Sequence, residues 1–170
     1  MPEANGHSLI PSRILVPVDF SSSSHAALEQ AAAFAQQFHA EIHLVHVIPM
    51  FPAAKMSDFV PEAEFVDRAT REAEKHFAAC QFDLGALGIK MTSGVEVGGD
   101  AAACIVDVIE REKIDLVVVS THGLTGWQPV VFGSIAEKLL KLVNIPVLLI
   151  RTPKPNSRTR AHAGRLKKHW

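Results

Sequence analysis

The stretch Arg13-Ile-Leu-Val-Pro-Val-Asp-Phe-Ser-Ser-Ser-Ser24 decides the fold. From Arg13 to Val18 it is almost wholly apolar, the composition of a strand covered on both faces and so of a central parallel strand. Asp19 and the serines then break the run and offer side-chain oxygens to the start of a helix. Beyond them Ala27, Leu28, Ala31, Phe34, Ala35 and Phe38 recur at helical spacing. A strand, a polar turn and a helix form the first half of a βαβ unit.

The same order repeats along the chain. Glu41 to Val47 predicts a second strand, and Ile48 to Pro61, with prolines at 49, 52 and 61, a long irregular connection. Glu62 to about Phe82 sets Phe65, Val66, Ala69, Ala73, Phe77 and Cys80 among charged residues, the pattern of a helix with one wet face, ended by Gly85 and Gly88. Lys90 to Val97 predicts the third strand, Gly98-Gly99-Asp100 a turn, and Ala101 to Lys113 a helix capped by Asp100. Asp115 to Ser120 is the fourth strand, Thr121 to Gly133 a loop, Ser134 to Val143 the fourth helix and Pro146 to Ile150 the last strand. Strict alternation of five strands and four helices predicts the α/β class: a doubly wound five-stranded parallel sheet with right-handed crossovers and helices on both faces. A barrel would need eight such units. Ligands in these sheets bind beyond the carboxyl ends of the strands where the winding reverses, so strands one, two and four point to the site.

Length and composition bound the rest. The 170 residues, 48% hydrophobic, fit one domain that buries roughly two thirds of its unfolded surface. We expect a flexible segment over residues 1–11, the domain over 12–151 and a basic, disordered tail over 152–170. Residues 1–151 carry 11 Lys or Arg against 18 Asp or Glu, whereas 152–170 carry 6 against none. Cys80 and Cys104 show neither CxxC nor metal-ligand spacing, and no apolar run long enough to span a bilayer and no leader pattern appears, so a cytoplasmic protein with buried thiols and no membrane contact is expected. The tail lacks aromatic interleaving, which argues against nucleic acid as a partner.

The chemistry is concentrated in one loop. Strand four ends in Ser120-Thr-His-Gly123, and Gly133-Ser134 opens a helix nine residues later. Glycines allow close approach to the main chain, and a helix start supplies unpaired N–H donors and partial positive charge, a combination suited to phosphate. Ser134-Ile-Ala-Glu137 also reads as a capping box that would satisfy the helix start by itself. Asp19 is either a ligand carboxylate or the residue that shapes the turn before the first helix. The apolar Trp127, Val130, Val131 and Phe132 either pack over the sheet end or mark a contact with another protein. His122 either meets a phosphate or fixes the loop. His43 and His46, three apart on a strand, face opposite sides and share no metal, and no site for a metal held by protein side chains is expected.

Ile14-Leu-Val-Pro-Val-Asp-Phe20, His46-Val47, Thr121-His-Gly123, Gly133-Ser-Ile-Ala-Glu-Lys138 and Ile145-Pro-Val147 together resemble the universal stress proteins, over about residues 12–151. ATP-binding members carry Gly-x2-Gly-x9-Gly-Ser/Thr after strand four. Here it reads Ser120-x2-Gly123-x9-Gly133-Ser134, with a Cβ in place of the first glycine, and the loop up to Phe132 contains no Lys or Arg. The resemblance implies a doubly wound, Rossmann-like sheet of the adenine nucleotide alpha hydrolase type, with strand order 3-2-1-4-5. It implies that Asp19 with the backbone of Pro17 and Val18 meets adenine or ribose, that Val47 meets adenine through its main chain, and that Gly123, Gly133, Ser134 and Ile135 hold phosphates, beside Ser120 and His122. The implied ligand is ATP, with ADP and AMP as alternatives and Mg²⁺ accompanying a triphosphate. The implied assembly is a homodimer through Pro146 to Ile150; a further protein partner is the reading that the apolar Trp127 loop itself offers. The expected role is regulatory, in stress response, rather than enzymatic; the alternative is an interaction dimer with a lapsed site. Hydrolases of related fold use a glycine-bearing SGGxDS loop after strand one, and Val18 to Ser24 has no glycine. Slow hydrolysis of bound ATP is compatible with the site.

Overall fold

The structure, a computed structural model, describes residues 10–50, 62–121 and 133–151. The elements follow in the expected order: β1 (Arg13–Pro17), α1 (Ser22–Phe38), β2 (Glu41–Pro49), α2 (Glu62–Ala86), β3 (Met91–Gly98), α3 (Ala101–Arg111), β4 (Leu116–Ser120), α4 (Ser134–Leu142) and β5 (Val147–Ile150). They build one five-stranded sheet in the order β3-β2-β1-β4-β5, with every pairing parallel. The sequence expectation of a doubly wound α/β sheet therefore holds. Calls that fall on residues 1–9, 51–61, 122–132 and 152–170 lie outside the described residues.

The central strand shows why the sheet is two-sided. Ile14 and Val16 enter a core with Leu28, Ala31, Ala73, Phe77 and Leu84 from α1 and α2. Leu15 enters the opposite core with Ile105 and Val108 of α3 and Leu139 of α4. Successive side chains of a strand point to opposite faces, so an uninterrupted apolar run is what two covered faces require. The start of β1 is anchored electrostatically as well. The Asp115 carboxylate, just before β4, accepts from the main-chain N–H of Ser12 at 2.8 Å and of Arg13 at 2.9 Å.

Some boundaries move for local reasons. β2 continues through Pro49, which the prolines of the next segment had suggested was irregular. Odd-numbered residues of β2 turn their main-chain groups toward β1, as Glu41 N–H donates to Ser12 O at 2.9 Å. Even-numbered residues turn toward β3, as Ile42 N–H donates to Lys90 O at 2.9 Å and Met50 N–H to Gly98 O at 3.0 Å. Pro49 is odd and lies beyond the end of β1, so its missing N–H leaves no acceptor unmet. α2 runs through Gly85 to Ala86 and stops at Gly88, whose φ of 74° is the left-handed conformation that glycine adopts without cost. Cys80 is buried, its thiol pushed up to about 12 by desolvation with Asp83 adding to the effect, whereas Cys104 is half-buried rather than enclosed. Among the described residues no helix is long and apolar enough to cross a membrane.

His43 adds a pH-dependent contribution at the far end of the sheet from the strand carboxyl ends. It is buried, its Nδ1 lies 2.7 Å from Thr92 Oγ1, and its Nε2 has no hydrogen-bond partner among the described residues. Burial lowers its pKa below the usual 6.5; Glu112 and Glu96 oppose that shift while Arg111 and Arg13 reinforce it. A depressed folded-state pKa means that the neutral ring belongs to the folded state. The associated stability is complete above the unfolded value and is lost as pH falls from about 6.5 toward the lower folded value. We predict that the urea midpoint drops more between about pH 7.5 and about pH 5 in the natural protein than in His43→Asn, which keeps a hydrogen-bonding atom near the Nδ1 position. Parallel pH profiles would contradict this assignment.

Candidate functional site

A cleft of about 240 Å³ opens where the carboxyl ends of β1, β2 and β4 meet the start of α4. A single water needs only about 10–15 Å³ on the same kind of measure, so this is a space for an organic ligand. Pro17, Val18, Asp19, Val47, Ser120, Gly133, Ser134 and Ile135, all predicted from the sequence, line it together. His122 and Gly123 lie outside the described residues. Ser24, Val45, His46, Val119 and Ala136 also line it and were not singled out as site residues. Val45 lies opposite Pro17 in the β1–β2 register, and Val119 and Ala136 adjoin the predicted Ser120 and Ile135 in the chain, so strand pairing and chain adjacency would have found these three.

The β1 wall is tightly tied. Val18 N–H donates to Val45 O at 2.8 Å, and His46 Nδ1 lies 2.8 Å from Val18 O. A carbonyl only accepts, so the ring carries its proton on Nδ1. Asp19 Oδ1 accepts from Ser21 N–H at 3.1 Å and the residue also lines the cleft, so shaping the turn does not take it out of the cleft wall. Phe20 follows with φ of 60°, an uncommon conformation for a side chain of that bulk. Its ring meets that of His46 at 4.5 Å and that of His76 on α2 at 4.6 Å between centroids. Ser21 then caps α1, its Oγ accepting from Ser24 N–H at 3.2 Å.

Val47 supplies the β2 wall. It shares the odd parity that faces β1, but the β1–β2 register ends with Pro17 opposite Val45. Its N–H and C=O therefore point into the space beyond β1 and have no main-chain partner among the described residues. His46, on the opposite parity, stacks on the α2 side, whereas His43 lies beside Thr92 near α3, so the two rings share no ligand.

The α4 wall corrects the capping-box reading. Gly133, not Ser134, is the N-cap: its carbonyl accepts the first helical bond from Glu137 N–H at 3.0 Å, and no side chain among the described residues caps the turn. Ser134 sits one place too far into the helix to cap it. Glu137 instead accepts from Lys141 Nζ at 2.7 Å, a partner that lowers its pKa. Gly133 N–H donates to Thr121 O at 2.7 Å, which returns the chain to the end of β4 and aims the first turn of α4 into the cleft. Lys138 reaches away, to Asp100 Oδ2 at 2.8 Å, where Asp100 caps α3 through Ala102 N–H at 3.0 Å. Among the described residues no Lys or Arg lines the cleft. Positive potential there comes from the open amides and dipole of α4. Ser134→Ala should accordingly change unfolding free energy by less than about 0.5 kcal/mol, whereas Ser21→Ala, which removes a real cap, should cost about 1 kcal/mol in the same denaturant titration. Equal losses would restore Ser134 as a cap.

Comparison with known proteins places this arrangement. A model of the Universal stress protein family matches residues 11–151. Universal stress protein MJ0531 of Methanocaldococcus jannaschii is 29% identical over 154 residues, which cover 88% of this chain and 87% of that protein. The solved structure of MJ0577, from the same organism, matches with a TM-score of 0.75 at 30% identity, over 88% of this chain and 100% of that one. The universal stress protein of Archaeoglobus fulgidus in complex with dAMP shares the fold, with a TM-score of 0.58 at 21% identity over 83% of this chain and 98% of that one. With the family pattern matched from before β1 to the end of β5, and the cleft formed by the residues that carried the resemblance, the chain belongs to the universal stress protein family.

Proposed function

We propose that this chain binds an adenine nucleotide, ATP first and ADP or AMP as alternatives, and that the bound nucleotide regulates a stress response rather than being turned over. The observation that carries the proposal is the convergence on one cleft of the open main-chain pair of Val47, the Asp19 carboxylate and the uncapped start of α4. An N–H beside a C=O matches adenine, whose amino group donates next to a ring nitrogen that accepts; guanine in the same pose sets its carbonyl oxygen against the C=O and so loses that bond. Asp19 suits ribose hydroxyls. The amides of Ser134, Ile135 and Ala136 suit phosphate oxygens, with Mg²⁺ sharing the charge of a triphosphate. The adenine nucleotide held by the Archaeoglobus fulgidus relative supports the same ligand class. A homodimer is proposed through the outer edge of β5, where Leu140 and Leu142 of the neighbouring α4 are exposed. A protein partner at the Trp127 stretch and a cytosolic location complete the reading.

Ser120 favours a second reading, an interaction dimer that works without nucleotide, because its Cβ lies in the cleft wall where ATP-binding members have glycine. Thermal unfolding and sedimentation with and without ATP and Mg²⁺ separate the two. Under the proposal, millimolar ATP stabilises the dimer by about 1 kcal/mol or more, GTP does so much less, and Asp19→Ala loses most of the effect. A dimer that ATP, ADP and AMP all leave unshifted would support the second reading instead.

A further inference from the structure

His46 does more than line the cleft. The β1–β2 register pairs Arg13 with Glu41 and Pro17 with Val45, and Glu41 N–H donates to Ser12 O. One more rung of the same ladder would place Val47 N–H on Val18 O. That rung is not made, and the Val18 carbonyl accepts from the His46 ring at 2.8 Å instead. The imidazole thus supplies the donor that the next main-chain amide would have supplied. Val18 is buried, and a buried carbonyl left without a partner is costly, so the substitution of donors is energetically consequential.

From this exchange of donors we propose that His46 is a positioning residue: by satisfying the Val18 carbonyl it ends the β1–β2 ladder one rung early and leaves the Val47 N–H and C=O available to a ligand. The inference rests on the nucleotide reading for its consequence, but not for its mechanism. The ring is held where it must act, in contact with Phe20, which in turn meets His76 and Phe77 of α2. The other bond of a continued ladder, from Phe20 N–H to Val47 O, is also not made among the described residues, and Phe20 takes a left-handed conformation where the chain turns into α1. Val47 therefore keeps both halves of its main-chain pair, and the discrimination between bases lies in those two groups rather than in the His46 side chain.

Two variants separate the donor from the ring. His46→Phe keeps an aromatic ring against Phe20 and removes the donor. His46→Asn loses the ring but places an amide N–H near the Nδ1 position. In the ligand-free protein, amide hydrogen exchange followed by NMR should find Val47 fast in the natural chain, slowed about tenfold in His46→Phe as the rung closes, and fast again in His46→Asn, the scale being that of one hydrogen bond. With nucleotide, the ratio of ATP to GTP affinity should fall about tenfold in His46→Phe and recover in His46→Asn. A protected Val47 amide in the natural ligand-free protein would overturn the proposal even if His46→Phe failed to fold, as would exchange unchanged in a folded His46→Phe. Should the natural chain bind no nucleotide while Val47 exchange responds as described, the nucleotide reading fails and the positioning role of His46 stands.

Discussion

Val18, the residue that follows β1, is held by β2 through both of its main-chain groups, Val18 N–H on Val45 O and Val18 O on the His46 ring. Most of the candidate site follows from that constraint. β1 has Ile14, Leu15 and Val16 fully buried, and it lies between β2 and β4 where the winding of the sheet reverses. A strand in that position has to stop somewhere, and where it stops the neighbouring strands overhang it. The overhang exposes the main chain of Val47 on one side and Ser120 on the other, with Asp19 at the lip. The cleft is thus a product of unequal strand lengths in a parallel sheet.

The electrostatics of the cleft come from the backbone. Lys138 and Lys141, the basic residues of α4, are paired with Asp100 and Glu137 and face away from it. What remains is a glycine N-cap that offers no side chain, tied back to β4 through Thr121. Oriented amides attract an anion without a full charge, and they do so only at short range. That arrangement suits a ligand already held by its base and sugar, whose phosphates then fall at the helix start.

Much of this was legible in the residues, and the misreadings have physical causes. Alternation of apolar strands with helical spacing pointed to the doubly wound class because parallel crossovers leave few choices, whereas the strand order came with the family resemblance. The Ser134-x-x-Glu137 pattern misled because a capping box is a statement about which residue stands half outside the helix, and the bond from Gly133 N–H to Thr121 O moves that boundary by one. Pro49 read as a breaker because single-residue propensity ignores parity; on the side that β1 no longer reaches, a missing N–H costs nothing. The role of His46 had no local signal at all. It depends on a carbonyl 28 residues earlier in the chain that only the folded sheet brings within 2.8 Å.

The central claim is that β1, β2 and α4 present one binding surface for an adenine nucleotide. An ATP and Mg²⁺ titration of ¹⁵N-labelled protein, read at backbone amides, tests it most directly. The account predicts saturable shifts concentrated at Val47, at Asp19 to Ser21 and at Ser134, Ile135 and Ala136, with the amides around His43 and Thr92 unmoved. Shifts confined to the β5 edge or to the His43 end of the sheet, or no saturable shifts at all, would contradict it.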